Sequence, residues 1–215
     1  MKKTIFFISA IFAAGALFAQ QDTLTMENTF KKVKQLSVNT LGGTLDIALS
    51  PDKKTTSVKV DIPSAQLCRA VMSQEKGVLT VKVKQASPDA KCGSDIKITV
   101  PASVEIEVTA QNTRATIGSF TKSIKLDVRN SIFSIDNATG RLGVENMLSN
   151  VTAVGVFKPV TIDSANGTTI VKWTQKTKYD ITIDGTGEII FTVPPETQTL
   201  PVRNTFNGTF MINNN

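Results

Sequence analysis

Histidine is absent from this chain. Catalytic triads that use imidazole as the base, and metal sites built on ring nitrogens, are thereby excluded. Cysteine is scarce, with Cys68 and Cys92 the only two. In an oxidising compartment a bridge closing this loop would contribute roughly 3 kcal/mol through lost unfolded-state entropy, and two buried thiols are the alternative. Long apolar runs are confined to the first twenty positions, so no later segment reaches the roughly 20 residues that cross a bilayer. The dense Gly-Asp nonapeptides of calcium-loaded β-rolls are missing as well. No metal and no cofactor is expected. A compact basic patch with interleaved aromatics, the mark of a nucleic-acid binder, is also lacking. The lysines come in small groups (Lys31, Lys32, Lys34; Lys53, Lys54; Lys82, Lys84), and in "VKVK" they fall on the outer face of a strand.

The opening "MKKTIFFISAIFAAGALFAQQD" places two lysines before an apolar stretch that ends in small residues, the layout of a secretory signal peptide over residues 1–19. Cleavage after Ala19 leaves 20–215 as a single domain, and the formal charge falls from +6 to +4 with the loss of Lys2 and Lys3. No cysteine follows the cleavage point to carry a lipid anchor. The expected location is outside the cytoplasm, in the periplasm or on the outer cell surface, without a membrane span after cleavage.

Between turn signals nearly every segment reads as strand, as in "QLSVNT", "TLDIAL", "SVKVDI", "DIKITV" and "VEIEV"; Ala65 to Ser73 fits a short helix or a strand. From Val104 onward the strands repeat. "IEVTAQNTRATIGSF", "IKLDVRNSIFSIDNA", "LGVENMLSNVTAVGV" and "VTIDSANGTTIVKWT" start at Ile106, Ile124, Leu142 and Val160, a spacing of 18 residues each time. A looser fifth copy starts at Ile181. Apolar residues recur at offsets 0 and 2, then 9 and 11, which marks two inward-facing strand segments per repeat. Such self-similarity predicts an all-β, single-stranded β-solenoid with coils of about 18 residues. The divisions are irregular N-terminal strands over 30–103, regular repeats over 104–193, and a C-terminal cap over 194–215 where Pro194, Pro195 and Pro201 interrupt a ladder. Corner residues are expected at Asn112, Asn130 and Asn166 (offset 6) and at Asp127 and Asp163 (offset 3), since Asn and Asp tolerate left-handed backbone and bond nearby amides. Stacked Asn side chains could also bond one another along the axis. By this reading Asn166-Gly167 in "VTIDSANGTTIV" is a bend within one coil and not the turn of a hairpin.

The exported start, "FKKVKQLSVNTLGGTLDIAL", "GVLTVKV" and "DIKITVPASVEIEVTAQNTRATIGSF" together resemble the bacterial β-strand-repeat domains described as candidate adhesins, including the head-GIN type of unknown function. The resemblance spans most of residues 30–193. It implies a β-solenoid at the cell envelope with a surface or adhesion role and no agreed catalytic residues. "AQNT" and "VRNS" stand where such domains commonly carry glycine-rich corners.

The leading expectation is therefore a non-catalytic envelope binding or structural module whose partner is a cell-surface glycan or an envelope protein. The first alternative is a carbohydrate-active enzyme using the Asp127/Glu145/Asp163 face, because adjacent coils would hold carboxylates about 5 Å apart, within glycosidase range. Against it, offset 3 lies opposite the apolar offsets and faces water. The second alternative is an envelope-stress accessory protein. "KWTQKTKY", residues 172–179, breaks the repeat and holds the only Trp and Tyr. Trp173, Tyr179 and Lys176 are the candidate ligand contacts there, with burial of Trp173 over the open edge of a coil as the plainer explanation.

Overall fold

The computed structural model describes residues 23–52, 54–87, 90–197 and 200–214, so the leader lies outside the described residues. The chain is all-β, with no helix among the described residues. The thirteen strands are β1 (Leu24–Lys31), β2 (Gln35–Leu49), β3 (Thr55–Ile62), β4 (Cys68–Glu75), β5 (Val78–Gln85), β6 (Ser94–Val100) and β7 (Glu105–Ile117), followed by β8 (Ile124–Arg129), β9 (Ile132–Met147), β10 (Asn150–Trp173), β11 (Ile181–Val193), β12 (Val202–Phe206) and β13 (Thr209–Asn214). The segment that sequence leaves between helix and strand is β4, paired antiparallel with β5. No helix of the described residues is long and apolar enough to cross a membrane.

The thirteen strands of the described residues belong to one sheet, which is not closed among them. Its pairing follows the repeat. Ile106 lies opposite Ile124, Ile124 opposite Leu142, Leu142 opposite Val160, Val160 opposite Ile181 and Ile181 opposite Val202, all in parallel strands. A second row aligns Ala115 with Phe133 and Phe133 with Val151. β2 joins both rows, with Leu36 beside Ile106 and Leu45 beside Ala115. The N-terminal strands that share no 18-residue spacing extend the two rows beyond β2, β5 on the first and β6 on the second. Antiparallel β3 and β1 then follow β6. Segment 194–215 supplies the last strand of each row, β12 and β13. Around Asn166-Gly167, residues Val160 to Ser164 pair with Ile181 to Gly185, and Gly167 to Lys172 pair with Gly187 to Thr192. Both pairings are parallel, so the segment bends without forming a hairpin.

Burial alternates along the strands, as in β8, where Ile124, Leu126 and Val128 are buried and Lys125, Asp127 and Arg129 face outward, so the apolar offsets lie inside and the polar ones outside. The core is continuous from Leu36 to Val193 and includes Phe120, Phe133, Phe157 and Phe191. Trp173 is fully buried within it, edge-to-face with Tyr179 and Phe191 at 5.3 Å in each case, and its Nε1–H donates to the Phe157 carbonyl at 3.0 Å. Tyr179 is 7% exposed and its hydroxyl bonds Thr197. Burial is the plainer of the two readings of Trp173, and here both rings pack into the core with little of either exposed to solvent. Lys176 is exposed. Cys68 and Cys92 are joined by a disulfide with a Cα–Cα distance of 5.4 Å, which ties β4 to the segment preceding β6.

Candidate binding surface

The corner between the two strand rows is built from the repeat itself. At offset 6 the backbone is left-handed throughout, with φ of 52° at Asn112, 47° at Asn130, 52° at Leu148, 57° at Asn166 and 118° at Gly187. Such φ values are costly for most side chains and least so for Asn and Gly. Asn112, Asn130 and Asn166 are exposed, and Asn166 accepts a bond from the Thr186 hydroxyl at 3.3 Å.

The hydrogen bonds that tie successive corners together run through the next residue, which the sequence reading passed over. Offset 7 holds Thr113, Ser131 and Ser149, all at most 3% exposed. The Thr113 N–H donates to Ser131 Oγ at 3.1 Å, and the Ser131 N–H donates to Ser149 Oγ at 3.0 Å. Each hydroxyl in turn donates to the carbonyl two residues before it, that of Gln111, Arg129 or Met147. The fourth copy has Gly167 here and so no hydroxyl for the Ser149 N–H. Asn146 fills the gap: its Oδ1 accepts that N–H at 3.0 Å, and its Nδ2 donates to the Ser149 and Thr168 carbonyls and to Thr169 Oγ1. A Cβ on residue 167 would overlap the Asn146 amide. Gly167 is therefore required for space, and Asn146 is buried because it completes the row. Reading offset 7 as Thr, Ser, Ser, Gly would have exposed the pattern.

Two shallow depressions flank the N-terminal end of this corner. One, of about 440 Å³, is lined by Leu41, Gly42, Gln85, Lys91, Gln111 and Asn112 beside the disulfide. The other, of about 180 Å³, runs over Asn39, Thr109, Gln111, Asp127 and Arg129. Asn112 lines the first beside Lys91, and Asp127 lines the second beside Arg129. The acidic offsets stand in register on one outward face, with Asp127 beside Glu145, Glu145 beside Asp163 and Asp163 beside Asp184. Asp127 is half-buried and the other three are exposed. Glu145 pairs with Lys125 at 3.4 Å, and Asp184 accepts the Thr205 hydroxyl at 2.8 Å. Asp163 has no such partner among the described residues.

The same device, a hydroxyl on one strand donating to a carboxylate on the next, recurs across the sheet at Thr44 and Asp95 and at Thr116 and Asp46. At Asp61 the Thr25 hydroxyl, then Lys59 at 3.0 Å, hold the carboxyl below its ordinary range. At the β2–β3 turn Asp52 accepts bonds from the Thr55 hydroxyl, the Lys54 and Thr55 N–H groups and the Ser50 hydroxyl, which hold its carboxyl far below the ordinary value. These acids are structural partners of turns and strands.

No protein-family model matches the chain, and no curated protein matches it. Solved structures do. A candidate adhesin from Bacteroides fragilis is similar at 16% identity with a TM-score of 0.50, covering 91% of this chain and 98% of its own. A candidate adhesin from Parabacteroides merdae is 13% identical (TM-score 0.40, 90% and 96% covered). A candidate cell adhesion protein from Clostridium sporogenes is 11% identical (TM-score 0.39, 89% and 94% covered). At these identities the likeness to the Bacteroides fragilis structure is one of fold.

Proposed function

We propose that this chain is an exported, non-catalytic binding module of the cell envelope, an adhesin of the head-GIN-like β-strand-repeat kind whose sheet winds as a β-solenoid. The observation that carries this reading is the in-register parallel pairing, which sets outward polar side chains of successive strands in long rows. Such a surface suits repeated weak contacts with an extended partner. Winding is supported around β10, each end of which bonds back to chain about one repeat earlier: the Thr168 N–H donates to the carbonyl of Ser149, just before the strand, and the N–H of Thr174, just after it, donates to the Gly155 carbonyl, each at 2.9 Å. A chain that circles an axis makes such contacts about one coil apart. The fold of the Bacteroides fragilis candidate adhesin fits the same reading, as does the signal-like start.

The acidic row lends little to a glycosidase mechanism. That chemistry needs one acid kept protonated and another ionised in a shared cleft. Here Glu145 is committed to Lys125, and the depression that touches Asp127 does not include Glu145 or Asp163. The test is capture of envelope fractions and glycans by the purified chain 20–215, run beside a reducing-end assay on the same glycans. Capture without turnover is the expected result. Release of reducing ends that disappears in Asp163→Asn would overturn the reading. Mass spectrometry of the exported protein should give Gln20 as its first residue.

A further inference from the structure

We propose that the edge leading into the first strand row is a docking ridge for a linear anionic polysaccharide. The sequence shows only scattered lysines, but the pairing stacks them. The Lys34 N–H donates to the Gly77 carbonyl next to Lys76, and the Lys34 carbonyl accepts from Glu105. The Ile106 N–H donates to the Ser123 carbonyl next to Lys122, and Gly140 backs onto Lys122 just before Arg141. Phe157 pairs with Gly140, which sets Lys158 one strand further, and the Val160 N–H reaches the Asp180 carbonyl near Lys178. Lys34, Lys76, Lys122, Arg141, Lys158 and Lys178 thus follow one line along the stack, and all six are exposed. Seven successive strands at about 4.8 Å make that line roughly 29 Å long.

The charge is concentrated there. Segments 31–34, 75–77, 101–105, 119–123, 138–141, 155–159 and 174–180 hold nine Lys or Arg and three acids, Glu75, Glu105 and Asp180. The remaining described residues hold twelve Lys or Arg and thirteen acids. The ridge therefore carries a net charge of +6 and the rest of the described protein −1. The ion pairs among the described residues, Lys59 with Asp61 and Lys125 with Glu145, leave the ridge cations free.

Neighbouring chemistry selects the polyanion. Single-stranded nucleic acid is held by stacking on aromatic faces, and the rings within these segments, Phe120, Phe157 and Tyr179, are buried. Membrane surfaces are held by apolar insertion beside the charge, whereas the exposed large apolar residues, such as Ile132, Leu148 and Ile212, all lie outside these segments. A row of exposed cations without either feature fits a carboxylated or sulfated glycan bound by charge.

This inference rests on the binding-module reading, and the experiment separates the two. Chain 20–215 is run on immobilised polygalacturonate and heparin in a salt gradient, with duplex DNA and phosphatidylglycerol vesicles as competitors. Lys122→Glu/Arg141→Glu/Lys158→Glu should weaken glycan binding roughly tenfold, the sum of three exposed charge contacts. The matched Lys84→Glu/Lys97→Glu/Lys172→Glu protein should be nearly unaffected, and a milder Lys122→Gln/Arg141→Gln/Lys158→Gln protein covers poor folding of the first. Equal losses in the matched protein, or tighter binding to DNA or vesicles than to either glycan, would overturn the ridge. Capture of envelope fractions without glycan retention removes the ridge and keeps the module. Capture of neither removes both.

Discussion

Exchanging the fourth corner for the design of the second tests whether Asn146 stands in for a missing hydroxyl. Asn146→Val leaves the Ser149 N–H buried without its acceptor and frees the Thr168 carbonyl and Thr169 hydroxyl from the amide. An unsatisfied buried donor costs about 1–3 kcal/mol, so the single change should destabilise by about 2 kcal/mol. Gly167→Ser alone forces a Cβ into the Asn146 amide and should cost a similar amount, about 1–3 kcal/mol, as overpacking. Together the two changes reproduce the arrangement around the Ser131 N–H, with Val128 in the place of residue 146 and Ser149 in the place of residue 167. Valine vacates the space, and the new hydroxyl can accept the Ser149 N–H as Ser149 Oγ accepts that of Ser131. The double variant should therefore be more stable than the sum of the singles predicts, with a coupling of about 1–3 kcal/mol. Urea unfolding gives the free energies. In a chain of this size each kcal/mol corresponds to roughly 2–4 °C in a thermal scan. Additivity within about 0.5 kcal/mol would refute the substitution of amide for hydroxyl.

Ser131→Ala should lower stability by about 1–3 kcal/mol by orphaning the Thr113 N–H, while Ser131→Thr, the residue found at 113, should be tolerated; urea midpoints compare them, and equal losses would contradict the hydroxyl role. Replacing Cys68 and Cys92 with serine opens a loop with a sequence separation of 24 and should cost about 3 kcal/mol; an unchanged melting temperature would count against it. Trp173→Ala should cost about 3–5 kcal/mol as a core truncation, yet leave glycan retention by the folded fraction intact; lost retention in a folded variant would restore Trp173 as a contact. Asp52 has its carboxyl pKa depressed below the ordinary 3.8, so its stabilising contribution is complete above that value and is lost as pH falls through the lower folded pKa. Thr55→Val should raise the Asp52 midpoint in a carboxyl-carbon NMR titration, and an unmoved midpoint would assign the depression to the remaining bonds.

Legibility in the sequence tracked how strictly a position repeats. Offsets 0, 2, 9 and 11 are confined to residues that can be buried, and every copy must match its neighbour's register, so Ile106, Ile124, Leu142 and Val160 announce the pairing that Cα partners then display. The left-handed corner at offset 6 is chemically legible where Asn or Gly occupies it, but Leu148 adopts the same conformation with φ of 52° and carries no residue-type signal. There the hydrogen bonds around it, from the Leu148 N–H to the Ala165 carbonyl and from the Ser149 N–H to Asn146, hold the turn against the preference of the side chain. The β2–β7 pairing was illegible for a different reason. Leu36 and Ile106 are neighbours in space, but β3, the antiparallel β4–β5 hairpin and β6 intervene in the chain, and no fixed spacing links them. The basic ridge was hidden for the same reason: its cations stand at different distances before offset 0 in different copies, Lys122 and Lys158 two before and Arg141 one before. Selection on a buried position acts on one atom's fit, which fixes the offset. An exposed cation on a long flexible side chain reaches the same line from any of several adjacent positions, so a surface of this kind leaves no period in the sequence and becomes visible only when the strands are stacked.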